Sequence, residues 1–471
     1  MIHFGTGGWR AVIGDGFTRQ NIQLLAKAMC RKMKAEGVEQ EGIVIGYDRR
    51  FLSKEAVKWA CEVFAAEDIR CLFVNRSSPT PLVMFYVEKH HMHYGMMVTA
   101  SHNPAIYNGF KVFTLGGRDA SEQQTGEIEE YAAQIEGKEP IAVLDYDKAL
   151  AAGKVVEFNP LNEYLDNIIE KVDMKAIRDR GLHIVLDPMY GVSQTAMKTI
   201  LSTARCELDI IHGSHDTLFG RRMPAPSEEA LTELRTYVKE MNCDLGIATD
   251  GDADRLGVVD DEGRYLHAND ILVLLYYYLL KYKKWHGPAV RNIATTHMLD
   301  RIAESFGETC YEVPVGFKHI SAKMAETDAL IGGESSGGLT VRGHINGKDG
   351  IYAATLLVEM IALSGKKLSC LYREIQEQYG RTFMAEYSFA FAPERKAELL
   401  KTIYVDKSLP DFLLPIEKVS YLDGCKVYFK NGGWITARFS GTEPLLRIFC
   451  EMKEETKARE LCGIFREFLK L

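Results

Sequence analysis

The sequence predicts an α/β protein with three similar mixed α/β/α domains and a C-terminal α+β domain around a central cleft. Three observations predict it. Short apolar runs alternate with helical patterns in three successive stretches, as parallel βαβ units covered on both faces require. Each stretch closes on a polar loop where the carboxyl end of a last strand falls, the place at which open α/β sheets bind ligands. One shared cleft would explain three such loops. The final part of the chain drops this alternation for a hairpin pattern. At 471 residues and roughly 150 per domain, two to four compact units are expected.

In the first stretch Thr18 is a candidate N-cap for an amphipathic helix through Ile22, Leu24, Leu25 and Met29, stopping near Gly37. The runs Ile43–Gly46, Cys71–Val74 and Met96–Ala100 are its strands, with a helical segment from Ser53. The second stretch repeats this with His183–Leu186, Leu208–Ile211, a helix after Ser227 and Leu245–Ala248. The third has a helix over Ile271–Tyr282, a strand Asn292–Thr295, helices from Met298 and near Lys318–Glu326, and a strand Ala329–Ile331. Cys425–Phe429, the turn Asn431-Gly432-Gly433 and Trp434–Phe439 then form a hairpin, followed by Leu445–Cys450 and a last helix. The expected domains are 1–155, 156–258, 259–370 and 371–471.

Composition narrows the classes. Hydrophobic residues make up 46% and charged ones 26%, as in a folded soluble chain. Lys+Arg number 57 against 65 Asp+Glu, a net charge of -8, so the overall basic field of a nucleic-acid binder is absent. The start shows no secretory signal, and the longest apolar run, Ile271–Leu280, is about half of a bilayer crossing. Ten cysteines stand singly without CxxC spacing. A cytoplasmic protein with no membrane or nucleic-acid partner is expected.

The polar loops carry the chemistry. Asp250, Asp252 and Asp254 place carboxylates at alternate positions, with Gly251 easing a tight turn, so they can converge on one cation. All-oxygen ligands suit Mg²⁺, Mn²⁺ or Ca²⁺ better than zinc. An EF-hand does not fit, because Arg255 and Asp261 stand where its Gly and Glu belong. Taken alone the triplet could also be a solvated acidic loop. Ser101, in Thr99-Ala100-Ser101-His102-Asn103-Pro104, is a helix cap or a nucleophile and phospho-acceptor, with Lys111 as a cationic partner. Arg438-Phe439-Ser440-Gly441-Thr442-Glu443-Pro444 and Arg447 form a candidate anion cradle, with arginine forks, hydroxyls and a glycine for close approach. A surface turn is its bland alternative. Gly5–Arg10 and Gly316-Phe317-Lys318-His319 are weaker signals of the same kind. Gly333-Glu334-Ser335-Ser336-Gly337 matches the GxSxG elbow of serine hydrolases, but Gly337-Gly338 is a poor helix start.

Together, Phe4–Arg10, Thr99–Pro104, Asp250–Arg255, Gly332–Gly338 and Arg438–Arg447 resemble the α-D-phosphohexomutase family nearly end to end. Asp349-Gly350-Ile351 and Arg222-Met223-Pro224-Ala225-Pro226 resemble its phosphoglucomutase-like branch. The resemblance implies four domains around a cleft and a phosphoserine at Ser101. It also implies Mg²⁺ on Asp250, Asp252, Asp254 and that phosphoryl group, with Arg10, Lys111 and Arg255 around the moving phosphate. Glu334 and Ser336 would read the sugar, with Lys318 and His319 nearby. Arg438, Ser440, Gly441, Thr442 and Arg447 would anchor the distal phosphate. The implied reaction interconverts hexose 1-phosphate and hexose 6-phosphate through a 1,6-bisphosphate, with glucose 1,6-bisphosphate or its matching hexose analogue as activator. Glucose is the first expectation; mannose or dual specificity is the alternative, and glucosamine comes third. Gly338 replaces a histidine of some bacterial relatives, which leaves Lys111, Lys318 and His319 as open candidates for proton transfer. The partners are small-molecule sugar phosphates, and the chain is expected to be a monomer or homodimer. A non-catalytic sugar-phosphate or calcium binder and a serine hydrolase are the competing classes.

Overall fold

The computed structural model describes residues 2–5, 7–440 and 444–471. The chain forms two compact units, Met1–Lys284 with Ser336–Ser369, and Trp285–Ser335 with Cys370–Leu471.

In the first unit the strands Phe4–Gly5 and Gly8–Val12 precede the helix Arg19–Glu36. The Thr18 hydroxyl accepts from Asn21 N, and Gly37 closes the helix in the left-handed region at φ 72°. Its first sheet has a parallel side of Tyr94–Val98, Ile43–Tyr47, Cys71–Val74 and Val155–Phe158. Every residue of Ile43–Tyr47 is buried, as a parallel strand covered on both faces demands. Tyr107–Thr114 then runs antiparallel beside Tyr94–Val98 and sets Lys111 opposite Met97. The second sheet repeats the plan. His183–Asp187 lies in parallel between Glu207–Ile210 and Leu245–Thr249, and Leu256–Val259 returns antiparallel. The buried helices Ala268–Lys281 and Gly350–Ser364 pack together in this unit.

In the second unit Ala289–Asn292 is flanked in parallel by Cys310–Val313 and Ile331–Gly333. The last sheet is fully antiparallel, in the order Phe383–Ala390, Leu445–Met452, Trp434–Phe439, Cys425–Phe429, Ile416–Ser420. The helix Glu455–Phe468 lays Ala458, Leu461, Cys462 and Phe465 on the core with Val427, Ile435 and Ile448. Three α/β layers plus a C-terminal α+β layer thus match the expected class.

Several strands differ from the sequence expectation. Asn292–Thr295 is not a strand; the strand is Ala289–Asn292. The Asn292 side chain accepts from Ala294 N and the Thr295 hydroxyl, a local turn that ends it. Ala329–Ile331 slides to Ile331–Gly333, and Met96–Ala100 to Tyr94–Val98. Gly95 counts as strand because its bare backbone is needed: a Cβ there would lie 2.5 Å from Val87. Phe383–Ala390 and Ile416–Ser420 were not expected, and both are edge strands with one wet face. Among the described residues no helix is long and apolar enough to cross a membrane.

Candidate active site

Ser101 follows the last parallel strand of the first sheet. Its backbone takes φ 50°, a conformation that costs a non-glycine residue free energy and must be held by its surroundings. Arg50 holds it. This buried guanidinium donates to the carbonyls of Ser101 (2.6 Å), Asn103 (2.7 Å), Pro104 (2.9 Å) and Tyr107 (3.0 Å). The Thr99 hydroxyl accepts from Ser101 N at 2.8 Å and donates to Asp48 at 2.6 Å. A helix-capping role for Ser101 is therefore not what the fold uses.

The hydroxyl of Ser101 donates instead to Asp250 Oδ2 at 2.8 Å, across to the second sheet. Asp250, Asp252 and Asp254 are 0%, 0% and 1% exposed, and their carboxylate oxygens lie within 4.8 Å of one another. Gly251 permits the approach, since a Cβ there would sit 2.9 Å from the Ser101 carbonyl. Asp250 Oδ1 accepts from Arg255 N (3.1 Å). Asp252 Oδ2 accepts from the Thr80 hydroxyl (2.6 Å) and Lys111 Nζ (2.7 Å). Asp254 Oδ2 accepts from Lys111 (2.6 Å) and is paired with Lys348 (2.9 Å). The remaining oxygens, Asp252 Oδ1 and Asp254 Oδ1, are buried without a hydrogen-bond partner.

The electrostatics follow from that crowding. Burial and then its two neighbouring carboxylates push Asp250 up from the ordinary range. Against the same burial, Lys111, Lys348 and Arg255 hold Asp254 well below it. Burial, Arg255 and Arg10 press the His102 imidazole far down, so it stays neutral; its Nδ1 lies 3.3 Å from the Ser101 hydroxyl. Arg10 donates to Asn103 Oδ1 (2.7 Å). Two orphaned buried oxygens in an all-carboxylate set fit a hard divalent cation such as Mg²⁺, which would offset the repulsion around Asp250.

The turn after Glu334 divides between the units. In the first unit Gly337 accepts from Leu256 N, Gly338 bridges Arg255, and Ser336 precedes both. A Cβ at Gly338 would lie 2.2 Å from Lys348 Cδ, so this glycine opens the path by which Lys348 reaches Asp254. No helix follows Ser335; the strand Leu339–Val341 does, and the hydrolase elbow is ruled out. In the second unit Glu334 accepts from Asn292 Nδ2 (3.2 Å) and Gly316 N (3.0 Å). Lys318 and His319 open the adjacent helix Phe317–Thr327. Asp423 accepts from Val315 N and from Arg438 Nε, both at 2.8 Å, which ties Arg438 to that same loop. Arg447 stands opposite Arg438 in the sheet register, its Nε without a partner, and Ser440 N donates to Leu445 O. Gly441 and Thr442 lie outside the described residues.

Sequence reasoning missed Thr80, Arg50 and Lys348. Only Lys348 had a signal, its place before Asp349-Gly350-Ile351. Asp349 caps the helix Gly350–Ser364 through Oδ1 and takes Tyr164 (2.8 Å) and His344 (2.6 Å) on Oδ2, which fixes the stem of Lys348.

Comparison with known proteins shows the family of the chain. Four family models match: phosphoglucomutase/phosphomannomutase alpha/beta/alpha domain I over 1–139, domain II over 162–263, domain III over 267–379, and the C-terminal domain over 399–467. A phosphoglucomutase/phosphomannomutase of Thermococcus kodakarensis is 30% identical, over 97% of this chain and 96% of its own. A probable phosphoglucosamine mutase of Methanobrevibacter smithii is 28% identical over the same shares. The crystal structure of a phosphomannomutase, so described provisionally, from Thermus thermophilus superposes with a TM-score of 0.84 at 28% identity, covering 100% of this chain and 99% of its own. The chain belongs to the phosphoglucomutase/phosphomannomutase family of phosphohexomutases.

Proposed function

We propose that this protein interconverts glucose 1-phosphate and glucose 6-phosphate, with Ser101 carried as a phosphoserine. The observation that carries the reading is the Ser101 hydroxyl at 2.8 Å from Asp250, within a carboxylate triplet that leaves two buried oxygens without a hydrogen bond. Asp250, Asp252 and Asp254 would hold Mg²⁺, which when bound supplies Lewis-acid neutralisation of phosphoryl oxygens. Phosphoserine 101 gives its phosphoryl group to the free hydroxyl of the hexose monophosphate, forming a 1,6-bisphosphate, and takes back the phosphate from the other end. Glucose 1,6-bisphosphate accordingly serves as activator. Arg10, Lys111 and Arg255 neutralise charge at the moving group, where phosphoryl transfer needs positioning and electrostatics above all. Lys348 joins them through its hold on Asp254. His102 lies beside the hydroxyl but is too weak a base to take a proton there, so Lys111, Lys318 and His319 stay the candidates for proton transfer. Glu334 and Ser336 bind sugar hydroxyls with Lys318 and His319 at the rim. Arg438, Ser440, Gly441, Thr442 and Arg447 grip the distal phosphate, whose remote binding energy orients the sugar.

The test is turnover of glucose, mannose and glucosamine 1-phosphates with a trace of the matching bisphosphate. Glucose should give the highest kcat/KM. A clear preference for mannose 1-phosphate makes the chain a phosphomannomutase. Activity confined to glucosamine 1-phosphate, as the name of the Methanobrevibacter relative would have it, overturns the glucose assignment.

A further inference from the structure

At the amino ends of the second sheet's parallel strands, three donor atoms of different chemistry converge. His183 opens the strand His183–Asp187, and Asp209 lies in its neighbour Glu207–Ile210. Cys243 sits in the short link between the helix Thr232–Met241 and the strand Leu245–Thr249, after Asn242 in the left-handed region at φ 53°. His183 Nε2 lies 2.8 Å from Asp209 Oδ2 and 3.7 Å from Cys243 Sγ, and the three donor atoms fall within 4.8 Å of one another.

Both partners approach the same ring nitrogen. A Cys-His-Asp catalytic triad needs them on opposite nitrogens, one to orient the ring and one to be activated. Nε2 carries a single proton at most and cannot serve both. Three donors meeting at a point suit a cation placed between them. Burial, then Asp209, Asp244 and Glu207, push the Cys243 thiol up to about 11, so only a cation at this point would draw out its thiolate. Asp209 is also hydrogen-bonded to Tyr237, and among the described residues no Lys or Arg pairs with Asp209. The backbone is fixed before any ion arrives, since His183 N donates to Asp244 Oδ2 (2.9 Å) and Asp244 N to the His183 carbonyl (2.8 Å). His183 and Asp209 side chains are 19% and 35% exposed, while Cys243 is 2% exposed, so an ion enters from solvent and meets the sulfur last.

We propose that His183, Asp209 and Cys243 form a second cation site, for Zn²⁺, independent of the mutase centre. Thiolate, imidazole and carboxylate together select a borderline-soft ion over Mg²⁺. Ligand bonds of about 2.0–2.3 Å set tetrahedral edges of roughly 3.3–3.7 Å. The nitrogen–sulfur spacing already meets this, and the nitrogen–oxygen spacing needs to open by about 0.5 Å. As the sulfur ligates, its thiol proton passes to solvent, and the fourth position is left to water. The ion would staple two strand starts and the link after Met241. The Asp250 loop leaves the carboxyl end of the same sheet, about 15 Å away along strands of this length.

Cobalt tests this in the full-length protein. Co²⁺ replacing Zn²⁺ on a thiolate gives a charge-transfer band in the near ultraviolet, which the all-oxygen Asp250 site cannot produce. Wild type should develop that band to a stoichiometric end point, and Zn²⁺ should bleach it. Cys243→Ser should abolish it. Asp209→Asn, at a side chain 35% exposed and with folding checked by its melting temperature, should weaken cobalt binding beyond the roughly 10–100-fold cost of losing an outer partner. Mg²⁺-dependent turnover should be unchanged in both. No band in wild type at saturating cobalt, or an undiminished band in Cys243→Ser, overturns the site.

Discussion

Two buried charge clusters of this molecule look alike in composition and differ in how they end. In the second unit, Glu312 is closed on every side. Its Oε1 takes the Tyr428 hydroxyl, and its Oε2 takes Arg291 (2.5 Å) and Lys426 (2.6 Å). Arg291 also makes a bidentate pair with Asp300 at 2.7 and 2.9 Å. In the first unit, Asp252 and Asp254 share Lys111 yet each keeps a buried oxygen without a hydrogen bond. Burying an acceptor without a partner costs about 1–3 kcal/mol. A closed network such as that of Glu312 ties strands together, whereas one that leaves carboxylate oxygens orphaned is shaped for something that is not protein.

That contrast can be broken by substitution. The largest effect should come from Ser101→Ala, which removes the acceptor and should cut turnover at least about a thousandfold in a coupled mutase assay. Phosphate on the intact variant by mass spectrometry, with turnover retained, would refute the role. Asp250→Asn should lower kcat by about 10²–10³. Because burial and two carboxylates already penalise its charge, the same change should leave the melting temperature equal or higher. Glu312→Gln should do the reverse and destabilise the second unit by about 3–5 kcal/mol, since it breaks a closed buried network; denaturant titration reads this. Gly338→Ala pushes a methyl into Lys348 and should cost about tenfold in kcat with little change in KM.

The smallest effect is one of pH. Despite burial, its hydrogen-bonded and charged neighbours hold the folded Glu312 carboxyl far below its ordinary value of 4.5. Folding is therefore favoured by this group above that value, and the benefit fades as pH falls below it, because the unfolded chain then binds the extra proton. The stability gap between wild type and Glu312→Gln should shrink steadily below pH 4.5. A gap that stays constant would show that the charge of Glu312 contributes nothing.

What was legible in the sequence depended on how locally each feature is built. Asp250, Asp252 and Asp254 converge within one turn, so their spacing announced them. Ser101 was marked by the strand before it. Lys348 and Thr80 were not marked, because they reach Asp254 and Asp252 only after the chain has folded across 94 and 172 positions. Arg50 carries no local pattern, because the four carbonyls it gathers lie 51 to 57 positions along the chain. Central strands announced themselves by apolar runs, although Asn292 moved one of them by turning the chain with its side chain. The edge strands Phe383–Ala390 and Ile416–Ser420 hid because half their residues face water.

The four carbonyls gathered on Arg50 have a consequence for motion. A main chain pinned at Ser101, Asn103, Pro104 and Tyr107 by one rigid fork is a jig that does not recoil. If Ser101 carries the phosphoryl group as proposed and cannot travel between the two transfers, the substrate has to do the turning. The space beside that jig must then be wide enough for a sugar to somersault.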